Sequence, residues 1–387
     1  MKRVLYISSC DPEYLNGGAI GTRKIIETLN KMQEENKINK WYGVVNKEKE
    51  NKNAGKYYKE IMRNKEKAYL SRVFGYAEQM ELNIKLILKI IKEKNINLVI
   101  FQNSRLGNIS EVIKNKFPEI KIIQNFDNFE YEFSKMFTKN MNLVIKKTEP
   151  LLVRRSEKKA LKNMDLGIFL TEKDKKNVEI FYGIHKKSEI IPFIYENTFS
   201  NKKIKKEKQV IFTGSLDMRA NIEAGLFLIK NYKKFFEKEK IKLVLAGRNP
   251  NIELYNLVKE MKMENIEVVA NPSKEEMEIL LKKSLFYISP VFEGSGMKTK
   301  FVEAIFYGLP ILASEHTMIG YSKEFEKENF IKVFKNEKDI ENMCKEISEL
   351  YFISQEENIN EKIREFYKLN FSKDGIIKKI EGLINGI

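Results

Sequence analysis

Short apolar runs alternate with amphipathic stretches along almost the whole chain. The runs are rich in β-branched and aromatic residues, which is typical of buried strands, and the stretches between them have helical spacing. We predict strands over Val4–Ser8, Trp41–Val45, Asn97–Gln102, Lys121–Asn125, Leu166–Leu170 and Glu189–Phe193, and then over Val210–Thr213, Lys242–Ala246, Ile266–Ala270, Leu285–Ser289, Leu309–Ala313 and Phe330–Phe334. This alternation predicts an α/β fold with two Rossmann-like doubly wound domains.

The length and a polar break near mid-chain predict where the domains divide. At 387 residues the chain is longer than one hydrophobic core usually grows. The segment from Asn197 to Lys208 is polar and charged, so we interpret it as a linker. We expect an N-terminal domain over 1–196, a C-terminal domain over 207–365, and a final helix within 366–387 that packs back on the first domain. Because doubly wound sheets bind ligands beyond the carboxyl ends of their strands, we expect the two domains to face each other across a cleft.

The composition excludes several classes of site and of location. There are only two histidines and two cysteines, and Cys10 and Cys344 lie far apart without metal-type spacing. No apolar stretch approaches the ~20 residues that cross a bilayer, and the first apolar run is too short for a signal peptide. We therefore expect a cytoplasmic protein without a disulfide framework.

The chain carries a large excess of positive charge. Lys and Arg number 70 against 54 Asp and Glu, which gives a net charge of +16. That excess suits nucleic acid, an anionic lipid surface or a polyphosphate substrate, and it also suits a plain lysine-rich surface. Composition alone leaves these alternatives open.

One segment, Pro290–Pro310, has a strong local pattern. It follows a predicted strand, contains a glycine-rich turn and then takes on helical spacing. Gly308 is a natural C-terminal stop with Pro310 shortly after it, so the helix is predicted to begin near Met297 or Lys298.

The residue types at the start of this helix suit a bound phosphate. Lys298 and Lys300 are unfavourable beside the positive end of a helix dipole unless an anion binds there. Gly294 and Gly296 permit close approach of the backbone, and Glu303 lies on the helix face from which it can accept hydrogen bonds from ribose hydroxyls. The structural alternative is a tight turn with its lysines in solvent. The predicted ligand-binding positions are Gly294, Ser295, Gly296, Met297, Lys298, Thr299 and Glu303.

Two other strand ends of the second domain carry a glycine and a cation. Gly214 follows the strand Val210–Thr213, and Arg219 five residues later is a candidate for a bidentate phosphate contact. Gly247 and Arg248 follow the next strand. Strand ends cluster at one edge of a parallel sheet, so these residues are predicted to line the same crevice, although an ordinary loop explains each of them equally well.

The first domain has two candidate segments. Gly17 and Gly18 open the helix after the first strand, but their loop does not fit the dinucleotide-binding pattern, which argues against a nicotinamide cofactor. Asp127 and Glu130 follow the strand Lys121–Asn125. For both segments a functional role and a plain structural one stay open.

Taken together, these segments resemble the GT-B glycosyltransferases of the large retaining group called family 4. The resemblance spans nearly the whole chain, and its most specific part is the block from Glu293 through Glu303 and Ala304 to Gly308-Leu309-Pro310. Two features depart from the family pattern. Glu293 and Glu303 stand farther apart than the family's two glutamates usually do, and Asp127 occupies a position where a histidine is common.

The resemblance implies that the C-terminal domain binds a nucleotide-sugar and that the N-terminal domain binds the acceptor. By the same resemblance Glu303 is the ribose-binding glutamate, Glu293 lies near the transferred sugar, and the glycine turn with Lys298 cradles the diphosphate. Glu293, Asp127 and Glu130 are the implied catalytic residues, and Gly17 and Gly18 contact the donor from the other domain.

The expected reaction moves a sugar from a nucleoside diphosphate, most simply UDP, to a hydroxyl of a glycan or a lipid-linked acceptor. No acidic metal-binding cluster is evident, so neither a metal nor another cofactor is expected, and no nucleic acid is expected as a partner. The excess charge suggests peripheral binding to the inner face of an anionic membrane, in cell-envelope or surface polysaccharide synthesis. Two alternatives remain: a catalytically silent binding subunit of the same fold, and a basic nucleic-acid-binding protein.

Overall fold

The computed structural model describes residues 1–13, 17–47, 59–139, 141–196, 204–293 and 297–387, with only the backbone of residues 17–20. The chain divides into two compact units. The first comprises Met1–Ile194 together with Lys373–Ile387, and the second comprises Tyr195–Ser372. Residues 197–203 of the predicted linker lie outside the described residues.

Within its described residues the first unit has one seven-stranded parallel sheet in the order β3-β2-β1-β4-β5-β6-β7. The strands are β1 Arg3–Ser8, β2 Lys40–Lys47, β3 Lys59–Met62, β4 Leu98–Gln102, β5 Lys121–Phe126, β6 Leu166–Phe169 and β7 Ser188–Ile190. The helices are α1 Gly17–Glu34, α2 Lys65–Val73, α3 Ile84–Lys94, α4 Gly107–Lys116, α5 Glu130–Phe137, α6 Leu143–Asn163 and α7 Glu172–Tyr182.

The second unit has a six-stranded parallel sheet, again counted over its described residues, in the order β10-β9-β8-β11-β12-β13. The strands are β8 Gln209–Ser215, β9 Lys242–Arg248, β10 Ile266–Ala270, β11 Phe286–Ser289, β12 Ile311–Ser314 and β13 Ile331–Phe334. The helices are α8 Arg219–Lys230, α9 Ile252–Glu260, α10 Lys274–Lys283, α11 Thr299–Phe306, α12 Ile340–Ile353 and α13 Ile359–Asn370.

The last helix, α14 Lys373–Asn385, returns to the first unit and packs on α1. Its residues Ile376, Ile380 and Ile384 join the core beside β1, and Glu381 forms an ion pair of 3.0 Å with Lys37. The predicted segment 366–387 is therefore divided between the units. Residues 366–372, which include the end of α13, lie in the second unit.

The strand order of both sheets is that of doubly wound folds, in which the order reverses beside the first strand of each sheet. The predicted fold class of two doubly wound α/β domains is thus confirmed, and their arrangement across a cleft stays a prediction. All twelve predicted strands are present with small shifts of their ends, whereas β3 was missed because it is a short edge strand that contains two charged residues. Helix α8 ends at Lys230, and a separate π-helical turn covers Lys233–Glu237.

Both faces of the first sheet are buried, which explains the continuous apolar runs. Leu5 and Ile7 of β1 belong to the core on one face, and Val4 and Tyr6 belong to the core on the other. Strands covered by helices on both sides have no need of polar alternation. None of the described helices is long and apolar enough to cross a bilayer.

A left-handed glycine ends α11 and sets the length of this helix. Gly308 has φ +75°; its N–H donates to the carbonyl of Ile305, and the N–H of Leu309 donates to that of Ala304. This pair of bonds is a Schellman motif, which satisfies the last carbonyls of the helix. A Cβ at Gly308 would lie 2.7 Å from the carbonyl oxygen of Asn360.

Gly308→Ala is expected to lower the free energy of unfolding by about 1–3 kcal/mol, because the new Cβ is strained at positive φ and meets backbone. Denaturant unfolding measures the change. The matched control is Gly382→Ala in α14, where a Cβ meets no atom within 4 Å and the unfolding free energy should be unchanged or slightly higher. Equal effects of the two substitutions would contradict the argument.

Candidate functional site

The carboxyl ends of β8 and β9 approach each other unusually closely. Gly214 and Gly247 are register partners, and a Cβ on Gly247 would lie 1.8 Å from the carbonyl oxygen of Gly214. A Cβ on Gly214 would in turn lie 2.8 Å from the Nδ2 atom of Asn221. Only glycine fits the Gly247 position, so the two strand ends present bare backbone on one side of the crevice.

Helix α11 presents Glu303 to the same crevice. The helix begins at Thr299, with Lys298 as its N-cap residue, and its Phe301, Val302 and Ala304 are fully buried. Buried apolar residues on one face fix the rotation of the helix. Glu303 therefore lies on the opposite, crevice-facing side, and the predicted start of the helix is correct to within one or two residues.

Two donors hold the carboxylate of Glu303 in place. The Nζ atom of Lys300 lies 2.6 Å from Oε2, and the hydroxyl of Tyr195 donates to Oε1 over 3.2 Å. Tyr195 is itself fixed by the hydroxyl of Tyr367, which donates to its carbonyl over 2.5 Å, and by contact with the ring of Phe306. Only 12% of the Glu303 side chain is exposed. Each oxygen keeps a second lone pair, so the carboxylate is positioned to accept further hydrogen bonds.

These elements enclose a cavity of about 500 Å³ in the second unit. Four of the predicted ligand-binding residues line it: Gly214, Gly247, Arg248 and Glu303. The cavity is also lined by residues that were not among the predicted ligand-binding positions: Ser215, Asn271, Pro272, Ser273, Lys274, Met277, Lys300 and Tyr307.

The segment after β10 supplies one wall of the cavity and was missed, although its position could have been inferred. Asn271 follows a strand that was predicted correctly, and strand ends of a parallel sheet meet at one edge. In the structure the N–H of Asn271 donates to the carbonyl of Gly247 over 2.7 Å, and its Oδ1 accepts from the N–H of Asn249. These bonds attach the β10–α10 loop to the end of β9.

Other predicted positions in the second unit do not line the cavity. Arg219 is exposed; its Nε donates to Glu223 over 2.7 Å, and its Nη1 lies 3.6 Å from Glu253. The hydrogen bond that Arg219 donates to Glu223 raises the pKa of Arg219. Glu293 and Thr299 are exposed, and Met297 is half-buried. Gly294, Ser295 and Gly296 lie outside the described residues, so their predicted role is untested.

Lys298 is half-buried at the beginning of α11. Burial lowers the pKa of its amine, and the hydroxyl of Tyr321 donates to its carbonyl oxygen over 3.0 Å. Lys298 does not line the cavity, whereas Lys300 does. Of the two lysines that were predicted to bind a phosphate, Lys300 therefore lies at the cavity beside Glu303, and the predicted phosphate contact of Lys298 stays a prediction.

In the first unit, Asp127 lies at the carboxyl end of the sheet beside the early turns of α1. Its Oδ1 accepts from Nε2 of Gln102 over 2.6 Å, and its Oδ2 is buried without a hydrogen-bond partner among the described residues. A Cβ on Gly21 of α1 would lie 3.1 Å from Oδ1. Gly17 and Gly18 form the first turn of the same helix, and their predicted contact with a donor stays a prediction.

The surroundings of Asp127 favour its protonated form. Burial raises its pKa to about 7, with a further contribution from the negative charge of Glu130, while the amine of Lys24 opposes the shift. Burial also lowers the pKa of Lys24 to about 8. A carboxyl group that titrates near neutral pH is suited to give up and take back a proton.

Glu130 is the first residue of α5 and belongs to a buried network. Its N–H donates to Oε1 of Glu157 over 2.9 Å, and its own Oε1 accepts from the side-chain amides of Asn103 and Asn128, each over 3.3 Å. Arg105 lies 3.9 Å from its other oxygen. With only 2% of its surface exposed, Glu130 is held mainly by structural contacts.

Arg105 is the centre of that network, and no local sequence pattern indicates it. Besides Glu130 it pairs with Glu78, at 3.2 Å, and with Glu149. These partners lie far apart along the chain, so only the fold brings them together.

No group of three or more His, Cys, Asp and Glu residues in the described part of the chain is placed to hold a metal ion.

Comparison with known proteins identifies the second unit. Residues 207–351 match the family model of the glycosyl transferases group 1, which covers less than half of the chain. None of the curated proteins matches the sequence. The family match confirms the predicted resemblance for residues 207–351 of the second unit.

Solved structures are similar over both units. The structural match to a glycosyltransferase from Rickettsia africae ESF-5 spans 100% of this chain and 98% of that one, with 16% identity and a TM-score of 0.56. The match to HepE from Anabaena in complex with UDP spans 100% of both chains, with 11% identity and a TM-score of 0.59. For the lipopolysaccharide outer core galactosyltransferase WaaB both shares are 99%, with 9% identity and a TM-score of 0.58. At these identities the likeness shows the fold, which is that of the GT-B glycosyltransferases.

The pKa of Asp127 predicts a pH-dependent stability. The folded chain keeps this proton up to about pH 7, whereas an unfolded aspartate loses it near its ordinary value of 3.8. Between those values the folded state binds more protons, so the free energy of unfolding falls as pH rises, by about 1.4 kcal/mol per pH unit at most. Asp127→Asn keeps the acceptor for Gln102 and should flatten this decline.

Urea unfolding of both proteins at several pH values between 4 and 8 measures the difference. The exposed Asp217→Asn serves as the control for removal of a carboxylate, and it should leave the decline unchanged. If the curves for the wild type and Asp127→Asn run parallel across this window, the proton is not held at Asp127.

Proposed function

We propose that the chain transfers a sugar from a nucleoside diphosphate to a hydroxyl acceptor, with retention of configuration at the anomeric carbon. The observation that carries the proposal is the Glu303–Lys300 pair at the beginning of α11, which opens onto the cavity at the ends of β8 and β9. A nucleoside diphosphate needs a hydrogen-bond acceptor for its ribose and positive charge for its phosphates, and this arrangement offers both.

The phosphates are proposed to bind beside Lys300 and Arg248, near the backbone N–H groups at the beginning of α11. Gly214 and Gly247 leave room for the ligand to approach the strand ends. Negative charge grows on the leaving diphosphate as the transition state takes on oxocarbenium character, so fixed cations and helix N–H groups lower the barrier. Glu303 accepts hydrogen bonds from the ribose hydroxyls through the lone pairs that Lys300 and Tyr195 leave available.

A UDP-sugar is the proposed donor. HepE, which shares the fold, has been solved with UDP and with UDP-glucose, and this supports uridine as the base. Pro272 and Met277 make part of the cavity wall apolar, which suits the flat face of a base. No metal or other cofactor is included in the proposal, since the cations and the helix supply the positive charge.

Asp127 is the catalytic candidate that the geometry favours. It has an unpartnered oxygen and a pKa of about 7, whereas the carboxylate of Glu130 is occupied by two amides and faces Arg105. We propose that Asp127 exchanges a proton with the acceptor hydroxyl or positions the donor sugar. Glu293, exposed after β11, is proposed to contact the transferred sugar.

The proposed acceptor is a glycan or a lipid-linked sugar of the cell envelope or of a surface polysaccharide. WaaB, another protein with the same fold, is a galactosyltransferase of the lipopolysaccharide outer core, and this supports an envelope glycan. The enzyme is proposed to work in the cytoplasm at the inner face of the membrane, where the net charge of +16 favours contact with anionic lipid.

Thermal unfolding with UDP, GDP, ADP, dTDP and CMP tests the donor site. A diphosphate present at about 100 times its dissociation constant should stabilise the folded protein by about 2.7 kcal/mol. We expect UDP to do so selectively, and Glu303→Ala and Lys300→Ala to lose most of that stabilisation. Lys238→Ala, an exposed lysine away from the cavity, is the matched control and should respond like the wild type. A flat response to every nucleotide would remove the donor-site assignment.

Asp127→Asn separates catalysis from donor binding. Loss of a group that transfers a proton should lower kcat for turnover of the UDP-sugar by about 10²–10⁴-fold, while stabilisation by UDP stays at the wild-type value. Turnover is followed as UDP release with a panel of donors and glycan acceptors. Nucleotide binding without turnover by the wild type across the whole panel would instead favour a silent binding subunit, and unchanged kcat in the variant would rule out a catalytic role for Asp127.

A further inference from the structure

Exposed apolar side chains concentrate at the junction of α5 and α6 in the first unit. Phe137, Leu143 and Val144 are exposed by 65%, 68% and 71%, and Met136 and Phe133 are exposed as well. Every residue from 141 to 148 is exposed, so the first turn and a half of α6 contributes no side chain to the buried core. Contiguous exposed apolar residues of this size usually mark a binding surface.

The charge of this segment is of one sign. From Phe133 to Thr148 the sequence contains four lysines and no acidic residue: Lys135, Lys139, Lys146 and Lys147. Lys135 pairs with Glu132, which precedes the segment, over 3.2 Å. The other three lysines have no acidic partner among the described residues. We call the exposed apolar side chains and lysines between Phe133 and Thr148 the apolar-basic surface.

A second apolar face lies beside it on α2. Tyr69, Leu70, Val73 and Phe74 are exposed and occupy one side of this helix and its C-cap. Arg72 pairs with Glu149 of α6 over 3.1 Å, which fixes the end of α2 against α6. Aromatic and aliphatic side chains beside lysines are the combination found at the boundary between water and lipid.

We propose that the apolar-basic surface docks the protein onto an anionic lipid bilayer, with the α5–α6 junction inserted among the headgroups. Charge decides between this occupant and a protein partner: the three lysines that pair with no acidic residue in the described part of the chain complement a uniformly negative surface, whereas protein partners usually offer mixed charge. The inference rests on the proposed function only in that a lipid-linked acceptor would be met there, and lipid binding can be measured without the transfer reaction.

Sedimentation of the full-length protein with vesicles tests the proposal. One set is phosphatidylcholine alone, and the other contains about one-third phosphatidylglycerol, each at ~0.1 M and ~1 M salt. We expect binding to the anionic vesicles only, weakened at the higher salt. Lys146→Ala with Lys147→Ala should reduce the partition coefficient by about fivefold per lysine, and Leu143→Glu with Val144→Glu should reduce it at least tenfold.

Matched controls remove the same features elsewhere. Phe352→Glu replaces a side chain of the second unit that is 70% exposed, and Lys233→Ala with Lys238→Ala removes the same charge from exposed positions. Both should bind vesicles like the wild type. Stabilisation by UDP is measured in every variant, so that loss of lipid binding is separated from loss of folding or of the donor site.

Several outcomes would overturn the proposal. One is failure of the wild type to bind anionic vesicles, even if UDP still stabilises it. Another is equal loss of binding in the control variants, which would assign the effect to net charge. A third is a dimer in analytical ultracentrifugation that Leu143→Glu with Val144→Glu dissociates while the wild type ignores lipid, because the surface would then join two copies of the chain.

Discussion

Parallel pairing of the strands is the constraint on which the candidate site depends. When all strands of a sheet run the same way, their carboxyl ends meet at one edge, and residues far apart in sequence become neighbours. In the second unit this edge joins Gly214, Gly247 and Asn271 from three successive strands. The close approach of the two glycines then limits what the edge can present: backbone and open space rather than side chains. A site of this kind is suited to a ligand that brings its own charge.

Helix α11 supplies the charged side chains that would bind such a ligand. Where these side chains lie depends on both ends of the helix. The Schellman motif at Gly308 and the buried face of Phe301 and Val302 set its length and rotation, so Glu303 and Lys300 point into the cavity. The Lys300–Glu303 pair is partly exposed and so contributes little to stability by itself. Its value lies in preorganisation, because a carboxylate already held by Lys300 and Tyr195 needs little reordering when a ligand binds.

Local patterns allowed most of the fold to be predicted, whereas the site was predicted only in part. Buried parallel strands are continuous apolar runs, so β1 and β8 were evident, but the short, charged edge strand β3 was not. The position of Gly247 and Glu303 at the cavity could be predicted because a strand end and a helix start each have a recognisable sequence pattern. The network around Arg105 has no such mark, since Glu78, Glu130 and Glu149 meet it only after folding. The exposure of Arg219 depended equally on tertiary structure, because Glu223 and Glu253 pair with it on the surface.

The distribution of the net charge of +16 over the surface indicates which kind of anionic partner it suits. At several surface positions a lysine stands three or four residues from a glutamate and pairs with it, as Lys327 does with Glu324 and Lys368 with Glu365. Such pairs cancel the field at a distance, which makes a general affinity for polyanions weak there. The segment from Phe133 to Thr148 has no acidic residue, and there the field adds up beside exposed Phe137 and Val144. Lysines that stand beside exposed apolar side chains in one segment are better suited to a bilayer than to the extended backbone of a nucleic acid, which needs cations along a continuous groove.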